Sequence, residues 1–276
     1  MFLICLTHDI EALDHPFWSQ RGILRGLQNG RTRKIALDYL RGNSAATQNP
    51  FDTFDTILEM ERNHGATSTF FSLPFASSRN LYRLKELGDQ AEIGLHGMGE
   101  SFRLLSALKQ QKATLESTIG RSVTGIRMHM LSLAIPRTFD FEKQAGLTYD
   151  ATYLPPRFGQ KRIYHPFLAV DGLLEIPLSV TDSDYGEMGP EKTWERIEAV
   201  LDEHRKNEGV CTILWHPHSF YDEKCAFHRL QYKHLEGFKD VYERILQYGE
   251  NHADEMCSCI RVAEKLKDTS TVEKYW

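Results

Sequence analysis

Short apolar runs alternate with longer amphipathic stretches along almost the whole chain, and this alternation restricts it to a parallel sheet covered by helices. Phe2–Leu6 is a continuous apolar run that reads as a buried strand. Further strands are expected at Thr67–Leu73, Glu92–His96, Val123–Ile126, Leu174–Val180, Val210–Trp215 and Met256–Ile260. Helical patterns lie between them, at Phe17–Leu27, 31–42, Phe51–Arg62, Leu81–Leu87, Phe102–Ile119, Pro136–Ala145, Glu191–Lys206 and Phe238–Tyr248, with a last one running to Lys267. Gly65, Gly120 and Gly146 stand just past three of these helices, where a left-handed residue closes the final turn. Roughly seven strand–helix units without a linker or repeat predict one α/β domain spanning 1–276, a distorted parallel (β/α) barrel with about seven strands. The segment from Tyr153 to Asp171, with Pro155, Pro156 and Pro166, reads as a long loop over one barrel rim.

Composition narrows the class of partner. The net charge of −5 carries no broad basic excess, which argues against nucleic-acid binding. No apolar run approaches bilayer-spanning length, so no transmembrane segment is expected. The opening MFLICLTHDIEA lacks a basic region and a long apolar core, so it does not read as a signal peptide and predicts a cytoplasmic protein. Five cysteines without a CxxC pair suit reduced thiols.

In a parallel barrel, chemistry gathers where strands end. Four strand ends here carry ionisable side chains. His8, Asp9 and Glu11 follow the first strand, and His96 ends the third, with Glu100 four residues on. Arg127 and His129 follow Val123–Ile126, and His216 and His218 follow Val210–Leu214. Singly, each would read as a helix cap or a structural histidine. Together they offer carboxylates and imidazoles, the ligand set of a zinc-type site with an open position, plus groups to spare for acid and base work. His218, Asp222, His228 and His234 have no metal-site spacing among them and read as solvated loop residues.

The order of these motifs resembles that of the polysaccharide deacetylases, carbohydrate esterase family 4. Thr7-His8-Asp9-Ile10-Glu11 stands where that family has T-F-D-D, and His96-Gly97-Met98-Gly99-Glu100 where it has H-[ST]-x-x-H. Arg127-Met128-His129 is similar to its R-x-P, and Leu214-Trp215-His216 to its L-x-H. Ala66–Pro74 and Glu92–Gly97 resemble its A-T-F-F and E-I-G-x-H strands, so the resemblance runs from about Leu6 to His218. Three positions depart from the pattern. Ile10 displaces the second carboxylate to Glu11, Glu100 replaces the second motif-two histidine, and His129 replaces the proline. A subgroup with a T-H-D-x-[DE] start, found in clusters that build surface glycans and O-antigen, resembles this chain more closely.

The resemblance implies an N-deacetylase that acts on an N-acylated sugar and depends on a divalent metal, zinc by its ligand types. Asp9 would be the base, Arg127 its partner and His216 the acid; Asp9 or Glu11, His96, and His129 or Glu100 would hold the metal. The carbohydrate substrate would be a nucleotide sugar or a lipid-linked glycan. Trp215 and the aromatics of the 153–167 loop are candidates for stacking on sugar rings, with core packing the alternative for Trp215. Two rival readings keep the barrel: hydrolysis of another C–N bond, as in cyclic ureides, imides or formyl-sugars, and a non-catalytic glycan binder.

Overall fold

A computed structural model describes residues 1–75, 78–159, 161–220 and 222–267. Its strands are β1 (Leu3–Ile10), β2 (Thr69–Ser72), β3 (Glu92–Gly97), β4 (Gly125–Met128), β5 (Tyr149–Asp150), β6 (Phe167–Val170), β7 (Leu173–Glu175), β8 (Leu178–Thr181), β9 (Val210–Leu214) and β10 (Glu255–Cys257). They lie in the order β6-β7-β5-β4-β3-β2-β1-β9-β8, and all pairings are parallel except the β6–β7 hairpin. β1 is the central stave: it pairs with β9 over Leu3–Thr7, with β2 over Thr7–Ile10, and with β10 over Leu3–Cys5.

Residues 173–181 join the two ends of this order. Their first half pairs with β5, and the amides of Ile176 and Leu178 continue that pairing onto Asp150 and Tyr153. Their second half pairs with β9. Pro177 interrupts the ladder between the halves. The result is a circuit of seven staves, the distorted parallel barrel expected from the alternation.

Side-chain alternation sorts β1 into two faces. Ile4, Leu6 and Ile10 pack with the helices in the main core, whereas Leu3 and Cys5 pack with Phe71, Tyr149, Ala151 and Ile176 inside the barrel. Asp9 therefore shares the inner face with Thr7, and His8 faces outward. There His8 meets Glu61 at 2.9 Å and the Trp215 carbonyl at 2.6 Å, and Tyr242 and Ser68 donate to the Glu61 carboxylate.

Several expectations need correction. Tyr153–Asp171 is not wholly a loop, because Phe167–Val170 forms an antiparallel hairpin with β7 across Gly172, which takes a left-handed φ of 82°. The strand at 256–260 ends at Cys257, and Cys259 starts a helix, Cys259–Lys267. The helix expected from Phe102 begins at Leu105, after a 3-10 turn at Gly99–Phe102. All five cysteines are free and buried, with Cys5 and Cys259 sulfurs 3.5 Å apart. Among the described residues no helix is long and apolar enough to cross a membrane.

One polar feature escaped the sequence reading. Glu142, Asp150 and Glu175 are fully buried beside one another. Burial pushes all three carboxyls up, Asp150 to about 6, and Glu142 and Glu175 well above the usual range. Glu142 and Glu175 are neutral acids in an apolar setting, and Glu175 is hydrogen-bonded to Asp150.

Candidate active site

The ends of β1, β3, β4, β8 and β9 converge on one rim. Asp9 is 4% exposed, and Arg127 on β4 is fully buried. Arg127 Nη1 donates to Asp9 Oδ1 at 2.9 Å and to Thr7 Oγ1 at 2.9 Å, and its Nε donates to the Ala151 carbonyl at 2.8 Å. The Phe71 ring lies 4.5 Å from the guanidinium carbon. Burial pushes the Asp9 carboxyl up, but the positive charges facing it, with the Arg127 hydrogen bond, hold it below the ordinary carboxylate range.

His96 ends β3 with Nε2 3.8 Å from Asp9 Oδ2. This is not an ion pair, because burial lowers the imidazole below its usual value and leaves it neutral. Arg127 is therefore the partner that keeps Asp9 charged. His96 Nδ1 lies 3.0 Å from the Arg127 carbonyl, which can only accept, so Nδ1 carries the proton and Nε2 presents a lone pair to the rim.

Glu11, His96 and His129 form the one group of potential metal donors among the described residues, with ligand atoms within 4.8 Å of one another. Glu11 Oε1 is 3.5 Å from His129 Nε2, and the rings of His96 and His129 meet edge-on at 5.2 Å. Behind His129 the chain turns sharply through Met130 and Leu131, both at positive φ (57° and 52°), a region non-glycine residues rarely occupy. Glu100, the alternative to His129, lies exposed on the 3-10 turn after β3 and outside this group.

His216 follows β9, is 8% exposed, and is gripped by Asp182 at the end of β8. Its Nδ1 lies 2.7 Å from Asp182 Oδ1, and its amide donates to Oδ2 at 2.8 Å; Ser219 also donates to Oδ2. Burial alone would lower the imidazole, but the charge and hydrogen bond of Asp182, aided by Asp9 and Glu11, raise it to about 9. Asp182 was not picked out from the sequence. Its signal was present, an acidic residue directly after the apolar strand 178–181.

Other expected residues fall elsewhere. Trp215 is fully buried against Phe238 and Tyr242 on the helix side, so it is core. The Tyr164 carbonyl accepts from Val210 at the start of β9, on the rim opposite the site, and Phe167 is buried. Neither is a sugar platform. His218 stacks on His216 and Tyr232, and burial lowers it to about 4. His228 is buried rather than solvated, bonded to the Asp222 amide and the Pro50 carbonyl. His234 is exposed, and Asp222 accepts from Gln48 and from the Lys224 amide.

No protein-family model and no curated protein sequence matches the chain. Solved structures do. A Mycobacterium smegmatis protein assigned as a polysaccharide deacetylase matches with a TM-score of 0.63 at 16% identity, over 96% of this chain and 89% of that one. The Puue allantoinase matches with a TM-score of 0.59 at 13% identity, over 98% and 91%. A Bordetella bronchiseptica protein assigned as a polysaccharide deacetylase involved in O-antigen biosynthesis matches with a TM-score of 0.51 at 16% identity, over 88% and 89%. At these identities the likeness is one of fold, and the fold of this chain is the barrel of the polysaccharide deacetylases.

Proposed function

We propose that the chain belongs to the polysaccharide deacetylase family and is a metal-dependent N-deacetylase acting on an N-acylated sugar in cell-surface polysaccharide synthesis of the O-antigen type. One observation carries this reading. Three kinds of group meet at one rim: Asp9 clamped by Arg127, the Glu11–His96–His129 trio, and His216 clamped by Asp182. Amide hydrolysis needs a base, an electrophile to draw charge from the carbonyl, and an acid for a poor leaving group.

The donor set suits a divalent ion. Two imidazoles and a carboxylate are a zinc-type set that leaves a coordination position open, and His96 is already in the tautomer that offers Nε2. An ion held by Glu11, His96 and His129 would polarise the amide carbonyl and make water more acidic. Asp9, kept ionised by Arg127, takes the proton that attacking water gives up. His216, kept charged by Asp182, hands a proton to the departing sugar amine. We place the reaction in the cytoplasm, on a nucleotide sugar or a lipid-linked precursor; five free thiols suit a reducing compartment.

The test joins elemental analysis to acetate release from UDP-linked and lipid-linked N-acetyl sugars. About one zinc per chain and acetate release are expected. His96→Ala should lose both while keeping its far-ultraviolet circular dichroism. Stoichiometric metal retained in that variant, or no acetate from the zinc-loaded protein, would overturn the reading.

A further inference from the structure

Between β1 and the helix Phe54–Asn63 the chain leaves the barrel at the catalytic rim and forms two packed helices, Gln20–Gln28 and Arg33–Leu40. Their inner faces rest on a small core of their own. Ile23, Leu27, Ile35, Ala36 and Phe17 pack there with Phe227, from the segment that follows His216. The approach is close: a Cβ on Gly26 would sit 2.3 Å from the Phe17 ring.

The outer faces lack any such cover. On the first helix Arg21, Leu24, Arg25 and Gln28 are exposed at spacings of one stripe. On the second, Arg33, Leu37, Leu40 and Arg41 form a matching stripe, with Lys34 beside it. Leu24 is 57% exposed and Leu40 55%, and with Leu37 they put three leucines on the outer faces of one hairpin. Trp18 and Leu230 add two more exposed apolar groups at the edges. The charge is as uneven as the hydrophobicity. Residues 18–47 hold six cations, Arg21, Arg25, Arg31, Arg33, Lys34 and Arg41, against Asp38 alone. That is a net of +5 in a chain of −5, leaving −10 for the remainder. Arg31, Lys34 and Arg229 also edge a groove with Ile35, Ala46 and Leu230 in its lining.

We propose that this helical hairpin is a docking surface for an anionic lipid bilayer, with the leucines entering the headgroup boundary and the cations meeting lipid phosphates. Interfacial helices carry this combination of apolar stripe and flanking Arg and Lys. A nucleic acid would use the cations but leaves exposed leucines without a role. The acidic remainder of the chain is repelled by the same surface, so the hairpin faces the membrane and the rim that holds Asp9 and His216 lies near it. The inference does not depend on the hydrolytic reading, since the hairpin contains none of the site residues.

The test is flotation of the full chain with liposomes of phosphatidylcholine alone or with phosphatidylglycerol. Binding is expected only with the anionic lipid, and it should weaken as salt rises. Each cation near a charged membrane contributes roughly fivefold in partition, so Arg33→Gln with Lys34→Gln should lower it about 25-fold. Leu37→Ser with Leu40→Ser should lower it at unchanged charge. Both pairs are exposed, so the melting temperature should hold, and a variant that melts early is replaced by the other pair. No partition into anionic liposomes at low salt would overturn the proposal. So would equal binding to neutral lipid, binding indifferent to both pairs, or displacement from liposomes by an RNA oligonucleotide that the protein binds more tightly.

Discussion

Replacing Asp182 with Asn should shift the alkaline limb of the pH–rate profile while leaving the acid limb in place. In the intact protein, burial opposes the charged form of His216, and Asp182 overcomes it to raise the imidazole to about 9. Asn keeps the shape of Asp and removes the charge, so burial regains the upper hand and the value falls to the unperturbed 6.5 or lower. At pH 8 the protonated fraction then drops from ~0.9 to ~0.03, a loss of about 30-fold in any rate that needs the acid. Near pH 6 the same variant should lie within about twofold of the parent, because most of the imidazole is still charged. The assay is kcat/KM for acetate release from about pH 5.5 to 10, which reports groups of the free enzyme. The acid limb belongs to Asp9, which still pairs with Arg127 in the variant and lies below this window, so the alkaline limb alone is read. A uniform loss at every pH would make Asp182 a purely structural residue. An unmoved alkaline limb would show that His216 is not the acid.

Three further outcomes follow from the geometry. His216→Ala should lower kcat by roughly two to four orders of magnitude with metal content unchanged, and a near-normal rate would remove it from the mechanism. His129→Ala should weaken zinc binding by more than about 100-fold in a chelator competition, whereas Glu100→Ala should stay within about twofold; the reverse order would refute the trio. The buried acids have folded values raised above their unfolded ones, so they stabilise the fold while protonated, and that contribution is lost as pH rises through the folded values. Glu142→Gln, neutral at any pH, should therefore reduce the decline in stability between pH 5.5 and 8.5 by on the order of 1–3 kcal/mol in urea unfolding, and an unchanged decline would show that the triad does not titrate.

Residues at strand ends were legible because a strand has a period of two. Once Asp9 faces inward, Thr7 must as well and His8 cannot, and the same parity sends His216 to the site and Trp215 to the helices. The grouping of His129 with His96 was not legible. Glu100 and His129 are 29 residues apart in the chain, and only the pairing of β3 with β4 brings His129 beside His96. β5 pairs over two residues, too few for a periodic signal, and Pro166 with Gly172 made the first arm of the hairpin, Phe167–Val170, look like loop. Asp182 was passed over because the strand read as Leu174–Val180 stops short of it, and its partner His216 lies 34 residues away.

The central place of β1 sets a problem for synthesis. Its first half pairs with β9 and β10, while β2 reaches only Thr7–Ile10. The ribosome makes Leu3–Leu6 long before Val210–Leu214 and Glu255–Cys257, the strands that pair with them. At about 5–20 residues per second, the roughly 200 residues between them take about 10–40 s to appear. For that interval one of the most apolar segments of the chain has open hydrogen-bonding edges and no sheet to enter, which is the state in which chains aggregate or engage chaperones. The nascent chain should therefore be protease-sensitive around β1 until β9 has emerged, and a stall before Val210 should yield an insoluble product even though the segments bearing Asp9, His96 and Arg127 have all been made.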